Sequence, residues 1–143
     1  MKRLKRLVQR VPFVRWLYRK CTAIAFPGSR QYWESRYAKG GNSGAGSYGR
    51  LAEFKAEVIN SFVQDHQVTS VIEYGCGDGN QLSIAEYPSY IGLDVSSTAI
   101  QMCTERFKDD PTKRFYLYAP DVLADHADEL VADLALSLDV IYH

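Results

Sequence analysis

Residues 71–81 read VIEYGCGDGNQ. A β-branched, apolar start runs into one acid, Glu73, and then into glycines at 75, 77 and 79. Glycine at alternate positions lets a backbone turn tightly and approach a ligand without interference from side chains. A helix that follows such a turn presents unpaired N–H groups. The stretch therefore reads as a buried strand whose carboxyl end opens into a cradle for a small molecule.

Two cofactor types use a cradle of this kind. A dinucleotide site wants G-x-G-x-x-G, and counted from Gly75 its last glycine falls on Asn80; the pattern present is E-x-G-x-G-x-G. Nineteen residues after Gly75 a second strand ends in Asp94, where a carboxylate accepts hydrogen bonds from two ribose hydroxyls. Both cofactor types carry a ribose, so Asp94 alone does not choose between them. Together with the glycine spacing it favours an adenosyl ligand without a pyrophosphate.

Outward from this point, residues 68–74 (VTSVIEY), 90–95 (YIGLDV) and 114–118 (RFYLY) have the β-branched and aromatic content of strands, and a fourth lies within 132–142 (ADLALSLDVIY). Residues 81–86, 97–107 and 121–131 between them have helical composition. Such alternation predicts an α/β fold with parallel strands and right-handed helical crossovers. Upstream, residues 31–39 (QYWESRYAK) form a short predicted helix with Trp33 and Tyr37 on one face. Residues 50–63 (RLAEFKAEVINSFV) place Leu51, Phe54, Val58 and Phe62 at the spacing of an amphipathic helix. Residues 40–49 (GGNSGAGSYG) hold half of the ten glycines, so a mobile loop is expected there. Its GAGSYG segment matches G-x-G-x-x-G formally but follows a helix instead of a strand, which makes it a loop match.

Composition bounds the rest. With 143 residues, 46% of them apolar, 17 basic and 17 acidic side chains and three cysteines, the chain has the make-up of an ordinary soluble domain. A collagen, a disordered tail and a disulfide scaffold are excluded. Cys21, Cys76 and Cys103 show no paired spacing, which fits a reducing, cytoplasmic setting and no structural zinc. Arg15, Arg19 and Lys20 interrupt the best candidate for the roughly 20 apolar residues a spanning helix needs. The zero net charge is an average: residues 1–30 carry nine basic and no acidic side chains, leaving eight basic against 17 acidic from Gln31 onward. In that arm Leu4, Leu7, Val8 and Val11, and after Pro12 Phe13, Trp16, Leu17, Cys21 and Ile24, recur at helical spacing. A basic amphipathic arm of this kind either packs against the acidic remainder or, through residues 1–25, meets an anionic membrane surface at about 1 kcal/mol per basic residue. A peripheral position at the inner membrane face would follow. Nucleic-acid binding is not expected, because basic charge is confined to the arm.

At the level of ordered motifs the sequence resembles the class I S-adenosylmethionine-dependent methyltransferases. The matching pieces are VIEYGCGDGN at 71–80, IGLDVS at 91–96 and ADLALSLDVIYH at 132–143. The lead-in segments YWESRYAKGG and SYGRLAEFKAEVIN are similar to those of a bacterial group associated with surface-sugar biosynthesis. The resemblance implies a Rossmann-like parallel sheet, here with about four of the family's seven strands, behind a helical N-terminal extension. It divides the chain into a basic arm (1–30), a helical lead-in with the glycine-rich loop (31–66) and an S-adenosylmethionine-binding half-domain (67–143). It implies that Gly75, Gly77 and Gly79 line the methionine part of the cofactor, with Glu73 ordering its amino group. Asp94 would bind the ribose and Val95 pack against adenine, while Asp121 would contact the adenine amino group. Leu138 and Asp139 would sit near the methionine carboxyl end and the transferred methyl.

For an oxygen nucleophile a general base helps, and His143 follows Asp139 by four residues at the mouth of the implied site. Trp33, Tyr37 and Tyr48 are candidates for holding a cation or closing over it. Asp121, Asp125, His126, Asp128, Glu129 and Asp133 read as a solvated helix face, so no metal site is expected. Acceptors of the small-molecule or glycan class are implied, and weak or no turnover is expected unless a partner supplies the later strands. An uncovered fourth strand would favour self-association. Two other readings stay open: the cofactor domain of an NAD-dependent oxidoreductase, or a non-catalytic module recruited to anionic membrane by the arm.

Overall fold

The computed structural model describes residues 27–140. The basic arm, apart from its last four residues, and His143 lie outside the described residues, so the expectations attached to them are not addressed by the fold. The elements are α1 (Ser29–Ala38), a 3-10 turn (Ala45–Ser47), α2 (Gly49–Asp65), β1 (Val71–Tyr74), a 3-10 turn (Leu82–Ile84), β2 (Tyr90–Asp94), α3 (Ser97–Arg106), β3 (Lys113–Leu117), α4 (Pro120–Asp125) and β4 (Leu134–Leu136).

The four strands form one parallel sheet in the order β3-β2-β1-β4. Val71 pairs with Tyr90 on one side and Leu134 on the other, so β1 and β2 occupy the middle and are buried. Because side chains alternate across a strand, Val71 and Tyr90 enter a core with Val63 of α2 and Cys103 of α3. Their neighbours Ile72, Ile91 and Leu93 face the opposite layer, against Leu123 and Leu130. The chain thus builds the α/β sheet that its alternation of strands and helices predicts, and among the described residues the sheet has four strands.

Three elements differ from expectation. Residues 81–86 yield only the 3-10 turn Leu82–Ile84. The Ser83 hydroxyl donates to the Asn80 carbonyl at 2.6 Å, and Pro88 disfavours helical backbone at Tyr87. The predicted helix over 121–131 stops at Asp125, where Asp125, Asp128 and Glu129 would stack like charges at a helix end that favours cations. In α2 the bulky stripe does not face the sheet: Ala52, Ala56 and Val63 are buried, while Leu51, Phe54, Val58 and Phe62 stay 43–64% exposed. Small side chains let the helix backbone come close to the sheet layer, and the buried Gln81 side-chain amide donates to the Ala52 carbonyl at 3.0 Å.

Candidate functional site

The glycine loop wraps the carboxyl ends of the two central strands. Gly75 and Cys76 both donate their N–H groups to the Leu93 carbonyl, at 2.7 and 3.0 Å. Gly77 donates to Asp94 Oδ2 at 3.0 Å. Gly75, Gly77 and Gly79 all have positive φ, between 59° and 88°, a region that side chains resist. At Gly77 a Cβ would also run into the Ser43 hydroxyl and the Tyr37 phenol, so the loop is pressed directly against the lead-in segment.

That segment forms a roof. Asp78, buried within the glycine run, accepts from the Ser43 N–H at 2.9 Å, the Tyr48 hydroxyl at 2.7 Å and the Asn80 N–H at 3.1 Å. Burial works to raise the Asp78 pKa, but these hydrogen bonds outweigh it and hold the carboxyl below its usual value. Burial, reinforced by the negative charge of Asp78, pushes the Tyr48 phenol up to about 12. Ser43 Oγ in turn accepts from the Asp78 N–H at 3.0 Å, and the Asn80 amide donates to the Ser47 carbonyl at 2.8 Å. The expected mobile loop is therefore anchored at both faces of the glycine turn. Two of its five glycines serve packing: Gly41 and Gly46 have no room for a Cβ against Arg36 and Asp139.

A second tether joins α1 to the start of α3. Glu34 accepts from the Ser96 hydroxyl at 2.7 Å, the Thr98 hydroxyl at 2.5 Å and the Thr98 N–H at 3.2 Å. The hydroxyls of Thr98 and Ser96 hold its carboxyl down at about 2, and an acid at a helix N-terminus also complements the dipole. At the other end of α1, Arg30 donates to the Tyr118 carbonyl at 3.1 Å.

Between roof and sheet lies a cavity of about 330 Å³. Gly75, Gly77, Asp94, Val95, Leu138 and Asp139 line it, joined by Trp33 and Tyr37 from α1 and by Tyr74 and Tyr118 at the strand ends. Trp33 and Tyr37 stack at 5.7 Å and 25°, which makes one wall a continuous aromatic surface. Asp94 Oδ1 accepts from the Ser96 N–H at 2.9 Å, and burial raises its pKa against the help of these backbone donors. A carboxylate has about four acceptor positions, so Asp94 keeps acceptor capacity beyond its backbone partners Gly77, Val95 and Ser96.

Other residues singled out by the sequence lie elsewhere. Glu73 sits beneath the loop, fully buried, and accepts from the Tyr90 hydroxyl at 2.6 Å. Burial pushes its carboxyl up to about 7, with the Tyr90 hydrogen bond and the Lys55 charge opposing. A Cβ on Gly79 would meet Phe107 and Cys103, so this glycine faces α3 instead of the cavity. Asp121 is exposed in α4 and outside the cavity wall. Tyr48 is committed to Asp78. Asp78, Ser43, Glu34 and Lys55 escaped sequence reading because their partners lie about 30 to 80 residues away. An acid inside the glycine run was the one visible signal for Asp78.

No protein-family model matches the sequence, and no curated protein does. Solved structures do match. A putative caffeoyl-CoA O-methyltransferase from Staphylococcus aureus aligns over 82% of this chain and 57% of its own at a TM-score of 0.51 and 14% identity. The methyltransferase domain of bacterial CtHen1-CN aligns over 66% and 53% at a TM-score of 0.49 and 24% identity. The same domain in CtHen1-C aligns over 46% and 39% at 0.40 and 21%. The chain thus spans 39–57% of the length of these structures. At 14% identity the match to the caffeoyl-CoA O-methyltransferase structure shows a likeness of fold and not of activity. The described residues have the Rossmann-like parallel α/β fold of the methyltransferase structure that they match.

Proposed function

We propose that the chain binds S-adenosylmethionine and serves methyl transfer to a small-molecule or glycan acceptor. The observation that carries this reading is the cavity over the carboxyl ends of β1 and β2, with the Asp94 carboxylate in its wall and the glycine loop hydrogen-bonded to that same carboxylate. Its volume falls in the range of ligand pockets, about 300–1,000 Å³. The fit is chemical as well. Asp94 has acceptor capacity for a ribose, Val95 and Tyr118 offer apolar surface for a purine, and aromatic faces at Trp33 and Tyr37 suit a cation.

When bound, the cofactor supplies an electrophilic methyl group on a sulfonium. The chain's own part is positioning: alignment of a nucleophile with that methyl can lower the barrier by roughly 7 to 11 kcal/mol. The roof excludes water from above, and Asp94 fixes one end of the ligand. Tyr74, Tyr118 and Val140, partly exposed at the rim, leave an apolar edge past which an acceptor ring can approach.

Titration calorimetry with S-adenosylhomocysteine tests the reading. Binding is expected for the parent and its loss for Asp94→Ala, with circular dichroism to confirm folding. Binding of NADH in place of the thioether would refute the proposal in favour of an oxidoreductase cofactor domain.

A further inference from the structure

Two thiols that the cofactor reading does not use meet beneath the glycine turn. Cys76, inside the turn, and Cys103, on α3, are both free and buried. They converge on one atom: the Gly77 carbonyl accepts from Cys103 Sγ at 3.2 Å and has Cys76 Sγ at 4.0 Å. The N–H of the same residue donates to Asp94 Oδ2 at 3.0 Å. A Cβ on Gly79 would press on Cys103 Sγ as well. The turn is therefore seated on sulfur, and Gly77 links the two thiols directly to the carboxylate in the cavity wall. Spacing along the chain shows no such pairing; folding creates it.

We propose that Cys76 and Cys103 are an oxidation site, closed to a disulfide by a hydroperoxide that enters when the roof lifts, and that closure switches ligand binding off. The effect on binding rests on the adenosyl-ligand reading above; the bond itself does not. With hydrogen peroxide, the Cys76 thiolate attacks one oxygen, the O–O bond breaks, and a sulfenic acid and a water form. Cys103 then displaces the sulfenic oxygen as a second water. Two S–H bonds are lost, one S–S bond is gained, and two electrons pass to the peroxide. Cys76 reacts first because it is the less buried of the two, 6% exposed against 0%. In the closed protein the neighbouring Cys103 thiol, and burial after it, push the Cys76 thiol well above its usual value, which keeps the reactive thiolate scarce. Ser43 and Tyr37 of the roof also pack on Gly77. Liganded, closed protein is thus resistant, and empty protein, whose roof opens more readily, is the form shut off. The new bond takes the S–H donor away from the Gly77 carbonyl and draws α3 and the turn together, so the Gly77 N–H leaves its place on Asp94.

The test uses the full chain carrying Cys21→Ser, which leaves this pair as its only cysteines. Hydrogen peroxide is added, and the product is read by peptide mass mapping and by calorimetry with S-adenosylhomocysteine. Expected are a Cys76–Cys103 bridge, binding weakened about 10-fold or more through the displaced hydrogen bonds, and recovery on reduction with dithiothreitol. Cys76→Ser and Cys103→Ser, each made in that chain, should form no bridge and show no peroxide-dependent change, whatever their own starting affinity. Saturating thioether should slow bridging about 10-fold or more by holding the closed state, and Asp78→Ala, which loosens the roof, should speed it. Sulfinic acid or bridges between molecules in place of the internal bond would overturn the proposal. So would a bridge that leaves affinity unchanged, an equal loss in Cys103→Ser, or bridging at the same rate with and without thioether. Reduced protein that does not bind the thioether would sink the adenosyl reading and the switch with it, whereas binding by a protein whose pair never closes would sink the switch alone.

Discussion

Replacing Glu73 with glutamine isolates the electrostatic cost of the carboxyl buried beneath the glycine loop. In the folded chain its pKa is raised from 4.5 to about 7, by burial first, with the Tyr90 hydrogen bond and the Lys55 charge acting against it. The folded state then holds a proton that the unfolded state has released, so stability falls as pH rises from 4.5 to about 7 and is level above that. Integrating the two titrations gives a loss of about 2–3 kcal/mol between pH 5 and pH 8 from this residue. Glutamine has the same shape, keeps an oxygen to accept from the Tyr90 hydroxyl, and does not titrate. The stability of Glu73→Gln minus that of the parent should therefore rise by about 2–3 kcal/mol from pH 5 to pH 8. Urea unfolding of both proteins at each pH, followed by far-UV circular dichroism, measures this; every other titrating group cancels in the difference. A flat difference would refute the reasoning. A difference that falls with pH would show that Lys55, and not burial, governs this carboxyl.

Two further outcomes follow from the packing. Asp78→Ala removes the acceptor for Ser43, Tyr48 and Asn80 and should loosen the roof by about 2–4 kcal/mol after water replaces part of the loss; limited trypsin digestion should cut after Lys39 and Arg50 faster than in the parent, with sites in α3 unaffected. In α2, Ala56→Leu should destabilise by about 1–3 kcal/mol through overpacking, whereas Phe54→Ser should change stability by less than about 0.5 kcal/mol, and unfolding midpoints that reverse this order would contradict the assignment of the buried face.

The sheet was legible because its strands are short runs of β-branched, aromatic or aliphatic residues bounded by glycine, proline or polar residues, so local composition and pairing agree. The cavity wall was partly legible for a related reason: Gly75, Gly77 and Asp94 follow directly from where strands end. What escaped came from distant pairing. Nothing near residue 40 announces that a glycine-rich run will be strapped to Asp78, because backbone entropy argues for mobility and the compensating hydrogen bonds lie 30 to 35 residues away. Lys55 is equally silent, separated from Asp139 by 84 residues. In α2 the periodicity correctly marked a helix, but spacing carries no information about which side meets the sheet when alanines provide the closer approach.

The outward row of Leu51, Phe54, Val58 and Phe62 has a practical bearing on how this protein behaves in a tube. Four large apolar side chains lie along one helix, on a chain with zero formal net charge near neutrality, so little mutual repulsion keeps copies apart. Solubility should pass through a minimum close to neutral pH and improve in moderately alkaline buffer or with traces of mild detergent. The same row gives environment-sensitive dyes a landing place on the native state. A dye-based melting curve would begin bright and lose contrast, and a high starting signal in such an experiment would report the folded surface, not damaged material.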